Sequence, residues 1–193
     1  MKRSRGREKK AIQMSYTEKR IRGEQVYSGV IVKVALDDAE LVDGTVVKRE
    51  VVMHPGGVGI LPVDADGTAY MVRQFRYPFS RELLEIPAGK LEPGEDPKAC
   101  AVRELGEETG FTAGRLVDLG VTYASPGISD ETLHLYLALD LVPGEQHLDV
   151  DEFLGVEKWP LEELYAMVLR GEINDGKTEI AVMKAREILR NGG

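Results

Sequence analysis

Three glutamates, Glu104, Glu107 and Glu108, stand close together in the stretch GKLEPGEDPKACAVRELGEETGF, from Gly89 to Phe111. At 3.6 residues per turn they fall on one face of a helix. Like charges at this spacing repel by roughly 0.2–0.5 kcal/mol per pair on an exposed helix. Glu107 and Glu108 also lie near the helix C-terminus, where the macrodipole disfavours anions. A divalent cation reverses both penalties. Carboxylates on a rigid helix suit a hard, oxygen-seeking ion such as Mg²⁺ or Mn²⁺. For an isolated E-x-x-E-E, a solvated acidic face is the plain alternative.

The element that must position these acids has clear ends. Asp96 is a good N-cap, and Pro97 follows at the first helical position, where its missing N–H costs nothing. Gly110 is a helix-ending residue, so the sequence predicts a helix over Pro97 to Thr109. Val102, Leu105 and Ala99 are expected on the opposite, buried side, with Gly106 allowing close packing there. The carboxylates are expected on an exposed face. Just upstream, Glu85-Ile86-Pro87-Ala88-Gly89 predicts a turn whose backbone carbonyls lie free beside the acidic helix. Cys100 sits in the helix near its acidic side. It reads as a small helix residue, because no companion motif for a catalytic thiol is present.

Around this centre the chain alternates strand signals with turns. Residues from Glu24 to Val52 read as β, with Asp43-Gly44 marking a hairpin. His54 closes that stretch as a polar strand-end residue. VGILPVDADGTAYMVRQF gives two further strands about a hairpin turn at Asp66-Gly67; too few acids are present for a calcium loop. Arg73 and Arg76 bracket Phe75, a pair able to hold phosphate and stack on a base, or to lie on an exposed strand end. After the helix, two strands flank the loop Ser125-Pro126-Gly127-Ile128-Ser129-Asp130-Glu131, a candidate binding loop. The acidic run Asp149, Asp151, Glu152 precedes a short strand, FLGVEKW. Leu161 to Leu169 and Thr178 to Leu189 read as helices. Trp159, before Pro160, reads as packing.

Composition limits the function classes. The chain has 193 residues, 42% hydrophobic and 30% charged, with a net charge of −8. That length supports one well-buried domain with a small appendage. No apolar run approaches a membrane span, and no apolar segment follows the basic start as a secretory signal requires. The single cysteine excludes an intramolecular disulfide, and a cytoplasmic location is the default expectation. Net acidity argues against general nucleic-acid binding. The charge is uneven: residues 1–10 carry +5 and the remainder −13. The basic start reads as a disordered, solvated end.

The pattern G-x5-E-x7-R-E-L-x-E-E-x-G-F, with Gly89, Glu95, Arg103, Glu104, Leu105, Glu107, Glu108, Gly110 and Phe111 in place, resembles the Nudix box at every fixed position. Beyond the box, YSGVIVKV, REVVMHPGGVGILP, VRQFRYP, LEIPAGKLEPGE, SPGISDE, LDVDEF and GEINDGKT resemble the ADP-ribose pyrophosphatase branch of that superfamily. So does a proline fifteen residues past the box, from Phe111 to Pro126. The resemblance covers residues 24 to 190.

It implies an α+β fold, an α/β/α sandwich around a mixed sheet. It also implies a homodimer in which the β-rich segment of residues 21–55 is exchanged between subunits. Residues 1–20 would form the basic tail and 56–193 the hydrolase domain. The implied reaction is hydrolysis of the ADP-ribose diphosphate to AMP and ribose 5-phosphate with two or three Mg²⁺, Mn²⁺ being an alternative. Glu104 and Glu108 would be metal ligands, Glu107 a further ligand or support, and Ala88 a ligand through its carbonyl. Arg103 would orient a box carboxylate, with Glu95 a partner; Glu85 and Glu92 would stand behind the site. The general base is left open among Asp149, Asp151, Glu152 and Glu107. Arg73 and Arg76 would meet phosphate or adenine, Ser125 and Glu131 the terminal ribose, and Glu50 the partner subunit's site. Alternative substrates are GDP-mannose, ADP-glucose, NADH or a dinucleoside polyphosphate. A non-catalytic ADP-ribose sensor is the third reading.

Overall fold

A short apolar strand and the apolar middle of a longer one, both buried on two faces, form the centre of the molecule. They are β4 (Gly57–Pro62) and β9 (Thr132–Pro143), paired in parallel. Near-continuous apolar sequence is what such strands require. Two antiparallel neighbours complete a mixed sheet, β7 (Ala88–Lys90) beside β4 and β8 (Phe111–Tyr123) beside β9. The computed structural model describes residues 16–148 and 153–192.

Alternation along the central strands assigns a different layer to each face. Val58, Ile60, Tyr136 and Ala138 pack against Cys100, Ala101 and Leu105 of helix α1 (Pro97–Thr109). Leu61, Leu135, Leu137 and Leu139 face the other way. They pack against Leu161 and Leu164 of α2 (Leu161–Leu169) and Ala181, Val182 and Ala185 of α3 (Gly176–Arg190). The result is the expected α/β/α sandwich. A second, antiparallel sheet of β10 (Leu154–Pro160), β5 (Thr68–Arg76) and β6 (Arg81–Glu85) adds Ala69, Met71 and Leu84 to the second cluster.

A third antiparallel sheet lies at the N-terminal end, formed by β1 (Lys19–Ser28), β2 (Lys33–Glu40) and β3 (Val46–Met53). The predicted β2–β3 hairpin forms, with Gly44 at φ +85° in its turn. The first strand begins at Lys19, ahead of the Glu24 at which alternation becomes legible. Ion pairs hold it to β2: Arg20 to Asp37 at 2.8 Å and Arg22 to Asp38 at 2.5 Å.

One local expectation changes. Asp64 to Gly67 does form a tight turn, closed by Gly67 N–H donating to the Asp64 carbonyl at 2.9 Å. The strands it joins then part into different sheets, with Val63 opposite Ala69 as their one bridge. The turn sequence fixes the reversal; burial of both faces of β4 sets its partners. No helix among the described residues is long and apolar enough to cross a membrane.

Candidate active site

Helix α1 has the predicted bounds and caps. Asp96 accepts from Lys98 N and Ala99 N, both at 3.0 Å. Gly110 adopts φ +74° and donates its N–H to the Gly106 carbonyl, a left-handed cap that suits glycine. The buried stripe differs from the expectation. It is Ala101, Glu104, Leu105 and Glu108, at i, i+3, i+4 and i+7, with Cys100 beside it. Val102 is 46% exposed and Ala99 is exposed as well. The reason is geometric: at 3.6 residues per turn Glu104 and Glu108 lie within the arc bounded by Cys100 and Leu105, both of which pack on the sheet. A helix seated on the sheet by small residues carries these two acids inward. Glu104 is 7% exposed and Glu108 is 2% exposed.

Each buried acid is held by a specific group. Ala88 N–H donates to Glu108 Oε2 at 2.9 Å. The Glu104 carboxylate lies over β7 in the space a Cβ on Gly89 would occupy. Arg103 Nη1 donates to Glu104 Oε1 at 2.8 Å and to Glu107 Oε2 at 2.9 Å. Its Nε and Nη2 grip the two oxygens of Glu95, each at 3.0 Å. That grip, with a second hydrogen bond from the Glu92 N–H, holds the Glu95 carboxyl down to about 2. The same contacts, Glu95 first, push the Arg103 pKa above its ordinary value. Arg103 thus orients three carboxylates at once, not Glu95 alone.

The C-terminal end of the helix is clamped by the segment that follows β9. Gln146 Nε2 donates to the Glu108 carbonyl at 2.5 Å, and His147 N–H to the Glu107 carbonyl at 3.0 Å. Phe111, the last box residue, packs on Tyr70 with ring centroids 4.4 Å apart. Asp149, Asp151 and Glu152 lie outside the described residues. The chain enters that run directly after the clamp at Gln146 and His147.

The turn before the box has fewer free carbonyls than its sequence suggests. The Pro87 carbonyl accepts from Ile60 N–H at 2.8 Å. Glu85 is 1% exposed and is gripped by Arg76 Nε and Nη2, each at 2.6 Å, and by Lys177. Burial pushes its carboxyl up, but the Arg76 hydrogen bond and the Lys177 charge outweigh that, and the net shift is downward. Lys177 and its neighbours Asp175 and Thr178 are site features that sequence reading passed over. Their signal was the motif GEINDGKT, which resembles the branch but carried no assigned role.

The remaining candidates fall into two groups. Arg76 lies near the acids, with Glu108 among the charges that raise its pKa. Arg73, three residues away on β5, points to the other sheet face and pairs with Glu157 on β10. The two arginines are therefore not a joint clamp. Ser125 and Glu131 belong to a loop docked on β3: Val52 N–H donates to the Ile128 carbonyl at 2.7 Å, and Asp130 N–H to the Val52 carbonyl at 3.1 Å. The Glu131 carboxylate is 3.6 Å from His54 Nδ1, which accepts from Gly56 N–H at 3.1 Å. Glu50 is exposed on β3, opposite Leu36 in the N-terminal sheet. Trp159 packs against the core, and its Nε1 donates to Glu157 at 3.0 Å. Cys100 is fully buried, and burial with the nearby Glu95 pushes its thiol up to about 12.

Among the described residues, no three acidic, histidine or cysteine side chains converge on one point; Glu104 and Glu107 turn to Arg103 instead. The donor chemistry still fits a hard divalent cation. Two buried carboxylates stand on a capped helix beside a backbone turn, with a third at their border, and all donors are oxygen.

The chain is 45% identical over 170 residues to an ADP-ribose pyrophosphatase of Bacillus subtilis (strain 168), covering 87% of this chain and 92% of the relative. It is 42% identical over 180 residues to a methanol dehydrogenase activator of Bacillus methanolicus, covering 91% and 97%. The fold superposes on a solved structure described as an ADP compounds hydrolase with a TM-score of 0.81, at 24% identity, covering 94% of this chain and 99% of that one. The NUDIX domain model matches residues 53–180, which span β4 to α3 and contain every buried acid of α1, and the chain belongs to the Nudix hydrolase superfamily.

Proposed function

We propose that this protein hydrolyses the diphosphate of ADP-ribose to AMP and ribose 5-phosphate, using Mg²⁺ or Mn²⁺. The observation that carries the reading is the pair Glu104 and Glu108, buried on a capped helix against the Ala88 turn. Glu104, Glu108 and the Ala88 carbonyl would hold the cation, with Glu107 at the border. When bound, it would polarise the diphosphate and lower the pKa of the attacking water. The water oxygen attacks one phosphorus, the bond from that phosphorus to the bridging oxygen breaks, and the bridging oxygen leaves with the other phosphate.

The protein's own contribution is positioning and charge. Arg103 holds Glu104 and Glu107 in one orientation. A carboxylate from Asp149, Asp151 or Glu152 takes the water proton; these residues follow the segment bonded to the Glu107 and Glu108 carbonyls. Arg76, beside Glu85, supplies positive charge near the acids for a phosphate oxygen. The Ser125–Glu131 loop takes the terminal ribose. The similarity at 45% identity to an ADP-ribose pyrophosphatase supports this substrate.

The active form is a cytoplasmic homodimer joined through residues 21–55, with Glu50 reaching the partner's site. Ile21, Val26 and Tyr27 of β1 and Val30 and Ile31 of the turn after it are half or more exposed, an apolar surface that a second copy would cover.

The deciding experiment is coupled phosphate release from ADP-ribose, GDP-mannose, ADP-glucose and NADH, with Mg²⁺ and with EDTA. Fastest Mg²⁺-dependent turnover of ADP-ribose is expected. Preference for another substrate would retain the superfamily chemistry and overturn the substrate. No turnover on any of them would overturn the enzyme reading in favour of a binding role.

A further inference from the structure

Four consecutive residues, Glu85 to Ala88, form the turn that faces the acids of α1. Proline at 87 leaves only two backbone N–H donors across residues 86–88. Ala88 N–H goes to Glu108 on α1 at 2.9 Å. Ile86 N–H goes to Thr178 Oγ1 at 2.9 Å, 92 residues further along the chain, on the first turn of α3. The two helices lie on opposite faces of the mixed sheet. They therefore hold one short turn from two sides.

The α3 end of this arrangement is fixed in its turn. Asp175 Oδ2 accepts from Thr178 N at 3.1 Å, Thr178 Oγ1 at 2.5 Å and Lys177 Nζ at 2.9 Å. A carboxylate can only accept, so the Thr178 hydroxyl gives its proton to Asp175. Its lone pairs are thereby aimed at Ile86 N–H. Lys177 also bonds Glu85, the residue before Ile86. Thr178 is fully buried and Glu85 nearly so, so neither contact competes with bulk water. A helix cap alone would need only Asp175 and the Thr178 N–H. The hydroxyl and the ammonium reach further, to two successive residues of the turn.

We propose that Thr178 and Lys177 are positioning residues for the metal site: they lock Ile86 and Glu85 and so set where the Ala88 carbonyl meets the carboxylates of α1. The inference rests on the cation-dependent reading given above. It adds α3, which carries no box residue, to the machinery.

The test compares Thr178→Val, which keeps the shape and loses the hydroxyl, with Thr178→Ser, which keeps the hydroxyl. Mn²⁺ binding is read from the electron paramagnetic resonance signal of the free ion, with a thermal melt of the metal-free protein alongside. Outer partners of metal ligands typically contribute about 10–100-fold in affinity. Thr178→Val is expected to bind Mn²⁺ about tenfold more weakly, and Thr178→Ser to restore the wild-type value. The Mg²⁺ concentration for half-maximal rate should rise in step, while KM for ADP-ribose at saturating metal stays unchanged. A lowered melting temperature with wild-type Mn²⁺ affinity would assign Thr178 to packing alone and overturn the proposal. Should Thr178→Val fail to fold, Lys177→Gln decides by the same criterion. Wild-type protein that binds Mn²⁺ without hydrolysing ADP-ribose would refute the substrate and leave this comparison valid. Wild-type protein that binds no Mn²⁺ would overturn both.

Discussion

The carboxylate of Glu104 occupies the volume that a side chain on Gly89 would need. Glycine here serves close approach and not backbone freedom, because Gly89 is not among the positive-φ glycines. Gly89→Ala should therefore push Glu104 off β7 at little cost to the fold, since the displaced group is the end of a flexible side chain. A misplacement of about 1 Å at a reacting centre can cost about 10²-fold in rate. The expected outcome is a loss of that order in metal-dependent turnover, with stability within about 1 kcal/mol of wild type. Full activity in Gly89→Ala would show that Glu104 is not needed where it stands.

Glu108→Gln separates charge from shape. A glutamine carbonyl oxygen can still accept from Ala88 N–H, so the hydrogen bond at 2.9 Å has a neutral replacement. The fold should survive, with an unfolding midpoint close to wild type. Turnover should fall at least about 100-fold, because a metal ligand has lost its charge. Near-normal Mg²⁺-dependent activity would remove Glu108 from the metal site.

These two acids also show where sequence reasoning stops. The bounds of α1 were legible because caps are local: Asp96, Pro97 and Gly110 each act within one turn. The face it buries was not. Polarity alone places Glu104 and Glu108 outside and Val102 inside, yet the reverse holds. Small Cys100 and Ala101, with Leu105, decide the seating, and the acids follow their geometry. Long-range pairing was equally silent. Nothing near Arg73 announces Glu157, and nothing near Glu85 announces Lys177, because those partners are 84 and 92 residues away. The box supplied the chemistry; the elements that lock it in place became visible only in the folded chain.

The Arg103–Glu95 contact gives a pH-dependent difference with a definite sign. Glu95 is held from its ordinary 4.5 down to about 2, first by Arg103 and then by Glu92 N–H. A carboxyl with a depressed folded-state pKa stabilises the fold above its unfolded pKa. That contribution is lost as pH falls from about 4.5 to 2. Glu95→Gln should therefore melt below wild type at pH 7, and the gap should close progressively below pH 4.5. A gap that persists unchanged at pH 2.5 would assign the loss to shape and not to ionisation.

Cys100 tests whether the acidic helix carries a hidden nucleophile. The thiol is fully buried and pushed up to about 12, so it is protonated at neutral pH. A thiol in that state is inert. It donates weakly to the Lys90 carbonyl at 3.5 Å, an acceptor that a serine hydroxyl can also use. Cys100→Ser should keep turnover within about twofold, with a stability cost of about 1 kcal/mol for the buried polar group. Native protein should react with a thiol reagent only as fast as it unfolds, and labelling at low denaturant should track global unfolding. Rapid labelling of the native protein, accompanied by loss of turnover that Cys100→Ser reproduces, would place the sulfur in the reaction after all.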